Sequence, residues 1–170
     1  MTPSESRVCP RPDSCCEAGG RVLGAISLPG VTRSAPEARA FVGRIARTCL
    51  TVAEDVQGDI DLCVSEMVAN ACEHTASGKG GRIGVVVAVK REVVRVTVVD
   101  DGGAAGKPHV AEAFGENGRG LLLVEALALD WGVDEARTGT AVWAEFPAAL
   151  TRMPADPRCR GSEGCQVRAP

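Results

Sequence analysis

Residues 59–75 read Asp-Ile-Asp-Leu-Cys-Val-Ser-Glu-Met-Val-Ala-Asn-Ala-Cys-Glu-His-Thr, a spacing that predicts an amphipathic helix. At about 100° per residue, Ile60, Val64, Met67, Val68 and Ala71 fall on one stripe that must be buried against a second layer. Glu66, Asn70 and His74 follow at four-residue steps and climb a single column, one turn apart. That column adjoins the apolar stripe, which places it at the edge of the core. A carboxylate and a carboxamide held a turn apart in such a place can act as a proton acceptor and as an oxygen ligand for a metal. His74, taken alone, reads as a partnered residue at a helix end.

The rest of the chain supplies the second layer. A strand is expected around Val22–Leu28, then a helix from about Ala35 to Leu50, with Ser34 as candidate N-cap and Pro36 in the first turn. Ser77-Gly78-Lys79-Gly80-Gly81 stops the central helix. Two strands follow, Arg82–Val89 and Val93–Asp100, joined by Lys90-Arg91-Glu92. A Gly- and Ala-rich loop with some helical character occupies about 101–117. A helix then starts near Gly118 and runs through Leu127. The last expected unit is a hairpin, Trp131–Val133 with Ala141–Phe146, turning near Arg137-Thr138-Gly139. Residues 1–20 and 151–170 carry Pro, Ser, Gly and charge without periodicity and read as weakly ordered arms around a folded domain at 21–150. Helices first, then strands and one long loop, point to an α+β layer rather than a regular βαβ repeat.

Composition narrows the function classes. The chain of 170 residues suits one domain, and with 45% hydrophobic residues but only 3% aromatics its core must be Val, Leu, Ala and Ile. A net charge of -3 argues against a general nucleic-acid binder. The longest apolar run, Ile83–Val89, is a strand and falls far short of the ~20 residues a membrane span needs. The start Met-Thr-Pro-Ser-Glu-Ser lacks the basic start and apolar block of a secretory signal, so a cytoplasmic location is expected. Cys49, Cys63 and Cys72 lie in helical patterns and read as small core residues in a reducing compartment. Cys9, Cys15, Cys16, Cys159 and Cys165 show no CxxC step and read as incidental residues of the terminal segments rather than a zinc site.

Two further places carry chemistry. Counting by twos along Val94-Arg95-Val96-Thr97-Val98-Val99-Asp100 puts Asp100 on the side of Val94, Val96 and Val98, with Asp101 pointing the other way. A carboxylate at the end of an apolar parity needs a donor, from protein or ligand, because burying it alone costs several kcal/mol. Gly102 and Gly103 then let the chain turn sharply. Gly118-Arg119-Gly120-Leu121 opens a helix whose free N–H groups can hold an anion. The sequence has neither the GxxxxGK[ST] of a P-loop nor the GxGxxG of a dinucleotide fold.

The order of these pieces is more specific than any one of them. Glu-x-x-x-Asn on a helix, Asp-x-Gly after a strand and Gly-x-Gly-Leu opening a helix resemble the N, G1 and G2 boxes of the histidine-kinase-type (GHKL) ATPases. Val64-Ser65-Glu66-Met67-Val68-Ala69-Asn70-Ala71, Gly118 to Val124, Asp130-Trp131-Gly132-Val133 and Val142-Trp143-Ala144-Glu145 resemble the anti-sigma-factor serine/threonine kinase branch. The resemblance covers about Val22 to Phe146. It implies the Bergerat fold, a two-layer α/β sandwich whose mixed, mostly antiparallel sheet is covered by helices on one face.

For the site, the resemblance implies ATP and Mg²⁺. Asn70 would be the metal ligand, Glu66 the general base, and Asp100 the acceptor for the adenine amino group, followed by Gly102. Gly118 and Gly120 would form the phosphate-side turn, with amides from Arg119 and Leu121, and 103–117 would be the ATP lid. The chain departs from the family where Asp-x-Gly-x-Gly stops at Ala104, in a short lid containing Pro108, and at Thr140, which stands one place from the usual nucleotide-proximal hydroxyl. The implied activity is phosphorylation of a STAS-type anti-sigma antagonist, with a sigma factor and a second copy of the chain as further partners. No direct contact with nucleic acid or membrane is expected. The alternative is a non-catalytic, nucleotide-gated module that sequesters a partner. A sensor histidine kinase fits less well, because no phosphoacceptor hairpin precedes the domain and His74 and His109 both lie inside it.

Overall fold

The fold follows from a run of valines: between Ile83 and Val99 branched side chains dominate, and they favour the pleated surface of a strand. In the computed structural model, which describes residues 20–101, 119–136 and 139–151, the elements run in the order the sequence suggests. They are β1 (Arg21–Pro29), α1 (Ala35–Cys49), β2 (Leu50–Thr51), α2 (Glu54–His74), β3 (Arg82–Lys90) and β4 (Val93–Asp100). Then come α3 (Arg119–Leu127), β5 (Asp130–Glu135), β6 (Thr140–Pro147) and β7 (Ala149–Leu150). Five strands form one sheet in the order β1-β3-β4-β6-β5, and every pairing among the described strands is antiparallel, so the mixed sheet expected above is not seen there.

Register builds the core row by row. Val85 stands opposite Val98, Val87 opposite Val96 and Val89 opposite Val94, while Val94 in turn faces Phe146 on β6. These residues share one buried cluster with Ile60, Val64, Met67 and Val68 of α2, Val42 and Ala46 of α1, and Val124 of α3. The helices therefore cover one face of the sheet, the two-layer α/β arrangement. On the other face Arg95 ion-pairs with Glu145 at 2.6 Å and lies 3.8 Å over the Trp143 ring, beside Gly132, which leaves room for the indole. No helix among the described residues is long and apolar enough to cross a membrane.

Three local expectations need correction. α2 begins at Glu54, five residues before the apolar pattern starts, with Glu54 and Asp55 placed where the helix dipole favours negative charge. Ser34 occupies the N-cap position of α1, yet its hydroxyl donates to the Pro29 carbonyl at 2.8 Å instead of capping the helix. Leu50 leaves α1 to pair with Leu150 in a second, two-stranded sheet of β2 and β7. Pro36 does lie in the first turn of α1, as expected.

Phe146 is fully buried and is the largest such side chain among the described residues. Phe146→Ala is expected to lower unfolding free energy by about 3–5 kcal/mol, read from urea denaturation. A loss within about 0.5 kcal/mol, the range of surface changes, would contradict this packing.

Candidate functional site

Burial fixes the rotation of α2. Ile60, Val64, Met67 and Val68 are each at most 1% exposed, and with that stripe locked inward Glu66 and Asn70 emerge half-buried at the edge of the helix. What meets them is Gly120, in the first turn of α3. A Cβ on Gly120 would lie 2.6 Å from Glu66 Oε2 and 3.4 Å from Asn70 Nδ2. The start of α3 therefore sits against the polar column with no side chain between them. The described part of α3 begins at Arg119, so the amides of Arg119, Gly120 and Leu121 fall in its first turn, where amides lack intrahelical acceptors. A carboxylate, a carboxamide and the positive end of a helix converge here, a set able to accept a proton, ligate a cation and hold an anion.

Asp100 marks a second place. It is 4% exposed and lies on the buried parity of β4 with Val94, Val96 and Val98, as period-two counting predicts. Its Oδ1 accepts from the Thr140 amide at 3.2 Å. Thr140 is buried too, and it reaches Asp100 because β4 and β6 pair with Val99 opposite Ala141, bringing the next residues of each strand together. One sequence cannot disclose that register, which is why Thr140 carries no weight when read alone. Asp101 points outward, also as expected, and its Oδ2 accepts from the Arg82 amide at 2.7 Å. Ser77 is part of a helix stop in the sequence, whereas in the structure its hydroxyl accepts from the Asp101 amide at 2.9 Å.

The surroundings of the two α2 cysteines favour the neutral thiol. Burial, reinforced by the charges of Asp59 and Glu66, pushes the Cys63 thiol up to about 11, so it stays protonated at neutral pH. Cys49 is also buried, and burial followed by the charge of Glu73 raises Cys72, which is half-buried. Gly102, Gly118, His109, the segment 103–117 with Ala104 and Pro108, and the five terminal cysteines lie outside the described residues, as do the side chains of His74 and Arg119. Among the described residues no group of three or more His, Cys, Asp or Glu could hold a metal unaided.

A family model described as a histidine kinase-like ATPase domain matches residues 28–146, more than half of the chain, from the end of β1 into β6. The match spans α2, Asp100 and the start of α3. No curated protein matches the chain.

Proposed function

Because the chain belongs to the histidine kinase-like ATPase family, we propose that it is an ATP-dependent protein serine/threonine kinase of the anti-sigma-factor type. Its substrate on this reading is a STAS-type antagonist protein, and its effect is control of transcription by partner switching in the cytoplasm. The observation that carries the reading is the convergence of Glu66 and Asn70 on the bare start of α3 at Gly120. ATP binding alone needs the anion-holding helix start and a site for the base. A carboxylate placed one turn from the carboxamide, at the same spot, adds a group able to take a proton.

Phosphoryl transfer asks for positioning and charge neutralisation more than for covalent chemistry by the protein. Asp100 would accept from the adenine amino group, with the Thr140 amide steadying its other contacts. The amides of Arg119, Gly120 and Leu121 would hold phosphate oxygens. The oxygen of Asn70 fits a hard cation, and Mg²⁺, when bound, offsets phosphate charge. Glu66 would take the proton from a serine or threonine hydroxyl of the antagonist as its oxygen bonds to the γ-phosphorus. The bond from that phosphorus to the bridging oxygen breaks, and ADP leaves. A sigma factor held by the nucleotide-bound protein and a homodimer belong to the same reading.

The test is incubation of the full chain with γ-labelled ATP, Mg²⁺ and the STAS-domain proteins of the source cell. Acid-stable label on serine or threonine of one of them is the expected outcome. Acid-labile label would instead indicate a histidine acceptor. Retention of ATP with no labelled protein would favour the sequestering module, which the departure at Ala104 also favours.

A further inference from the structure

We infer that Ser77 is a positioning residue for base recognition: it ties the end of β4, and with it Asp100, to the turn that follows α2. The inference rests on the ATP reading above and adds the device that holds Asp100 in place. Ser77 is 0% exposed, an unusual place for a hydroxyl unless both of its roles are used. Both are. Its Oγ donates to the Arg82 carbonyl at 2.8 Å and accepts from the Asp101 amide at 2.9 Å. Arg82 opens β3, and Asp101 follows the last residue of β4. Ile83 pairs with Asp100, so one hydroxyl joins the two strands just beyond their final pair.

The other end of the link reaches the polar column. The Ser77 amide donates to Thr75 Oγ1 at 3.1 Å, and that hydroxyl donates to the Ala71 carbonyl at 2.5 Å, one residue beyond Asn70. The Ser77 carbonyl accepts from the Gly81 amide at 2.9 Å, and the Gly30 amide donates to the Gly81 carbonyl at 2.9 Å. Two glycines wedge the turn. A Cβ on Gly30 would run into the Ser77 carbonyl and one on Gly78 into the Cys72 carbonyl, both backbone atoms that cannot swing away. The turn therefore has little freedom to shift. A hydrogen-bonded path runs from the turn of helix beside Asn70 to the residue beside Asp100. Of the small side chains, a hydroxyl is the one that both donates and accepts strongly from a single atom.

A purely structural serine makes the right control. Ser34 is buried to a similar degree, and its Oγ donates once, to the Pro29 carbonyl at 2.8 Å on β1. Binding of ATP and of GTP would be measured by calorimetry on the wild-type full chain and on Ser77→Ala, Ser77→Cys and Ser34→Ala. Ser77→Ala is expected to cut the preference for ATP over GTP about tenfold, the scale of one lost buried hydrogen bond. Ser77→Cys keeps the size with a weaker donor and should fall between. Ser34→Ala should lower the melting temperature and leave the preference intact. An unchanged preference in folded Ser77→Ala overturns the inference, whatever its melting temperature. If that variant does not fold, an unchanged preference in Ser77→Cys does the same. Wild-type protein that binds neither nucleotide overturns the ATP reading and this inference with it.

Discussion

Glu66→Gln is expected to bind ATP with wild-type affinity and to transfer phosphate about 10²- to 10⁴-fold more slowly, the usual range for loss of a general base. The substitution keeps the length and shape of the side chain, which matters because Gly120 packs so closely on it. A carboxamide in that position still fills the space against α3 but takes up no proton. The loss should therefore fall on kcat and leave the KM for ATP unchanged, the signature of a group used in the transition state. Gly120→Ala tests the same placement by steric means. Its methyl would overlap Glu66 Oε2, which sits at the end of a flexible side chain and so moves rather than breaking the fold. Transfer should fall in that variant while the chain still melts cooperatively. Undiminished transfer by Glu66→Gln would remove the base assignment and favour a module that only binds.

The parts of this site legible in the sequence are those governed by a local period. The stripe Ile60, Val64, Met67, Val68 and Ala71 sets how α2 rolls on the sheet, so the edge position of Glu66 and Asn70 follows from counting. Asp100 shares the burial of Val94, Val96 and Val98 because side chains alternate along any strand. Where the structure depends on partners distant in sequence, counting is silent. Thr140 meets Asp100 through the register between β4 and β6, and Ser77 meets Asp101 across 24 residues. The two-residue strands β2 and β7 are too short to show a period. The early start of α2 is hidden by Glu54, Asp55, Gln57 and Gly58, whose polar and flexible character masks helical residues. Gly120 stands between these cases. Its motif marks a helix start, but only the packed structure shows what the missing side chain makes room for.

Asn70→Ala is expected to abolish the Mg²⁺-dependent part of ATP binding, weakening affinity in Mg²⁺ by about a hundredfold, the upper scale for a lost contact with a charged group. The residue is half-buried at the edge of α2, one turn above Glu66, and its amide nitrogen lies 3.4 Å from where a Gly120 Cβ would stand. Among the described residues no group of three or more His, Cys, Asp or Glu side chains is placed to hold a cation. On the proposed reading its oxygen would be the protein's main hold on a metal that otherwise rests on phosphate, so removing it should leave ATP binding weak and indifferent to EDTA. Asn70→Asp offers the sharper comparison. It restores an oxygen ligand of nearly the same reach, adds a charge that suits the cation and repels the phosphates, and should recover part of the Mg²⁺ dependence. The fold is not at stake in either variant, because α2 is held by Val64, Met67 and Val68 of the buried stripe beside the column. Titration of fluorescent ATP with and without Mg²⁺ reads all three proteins. A wild-type gain from Mg²⁺ that survives intact in Asn70→Ala would place the metal elsewhere, and the polar column would keep Glu66 as its only chemistry.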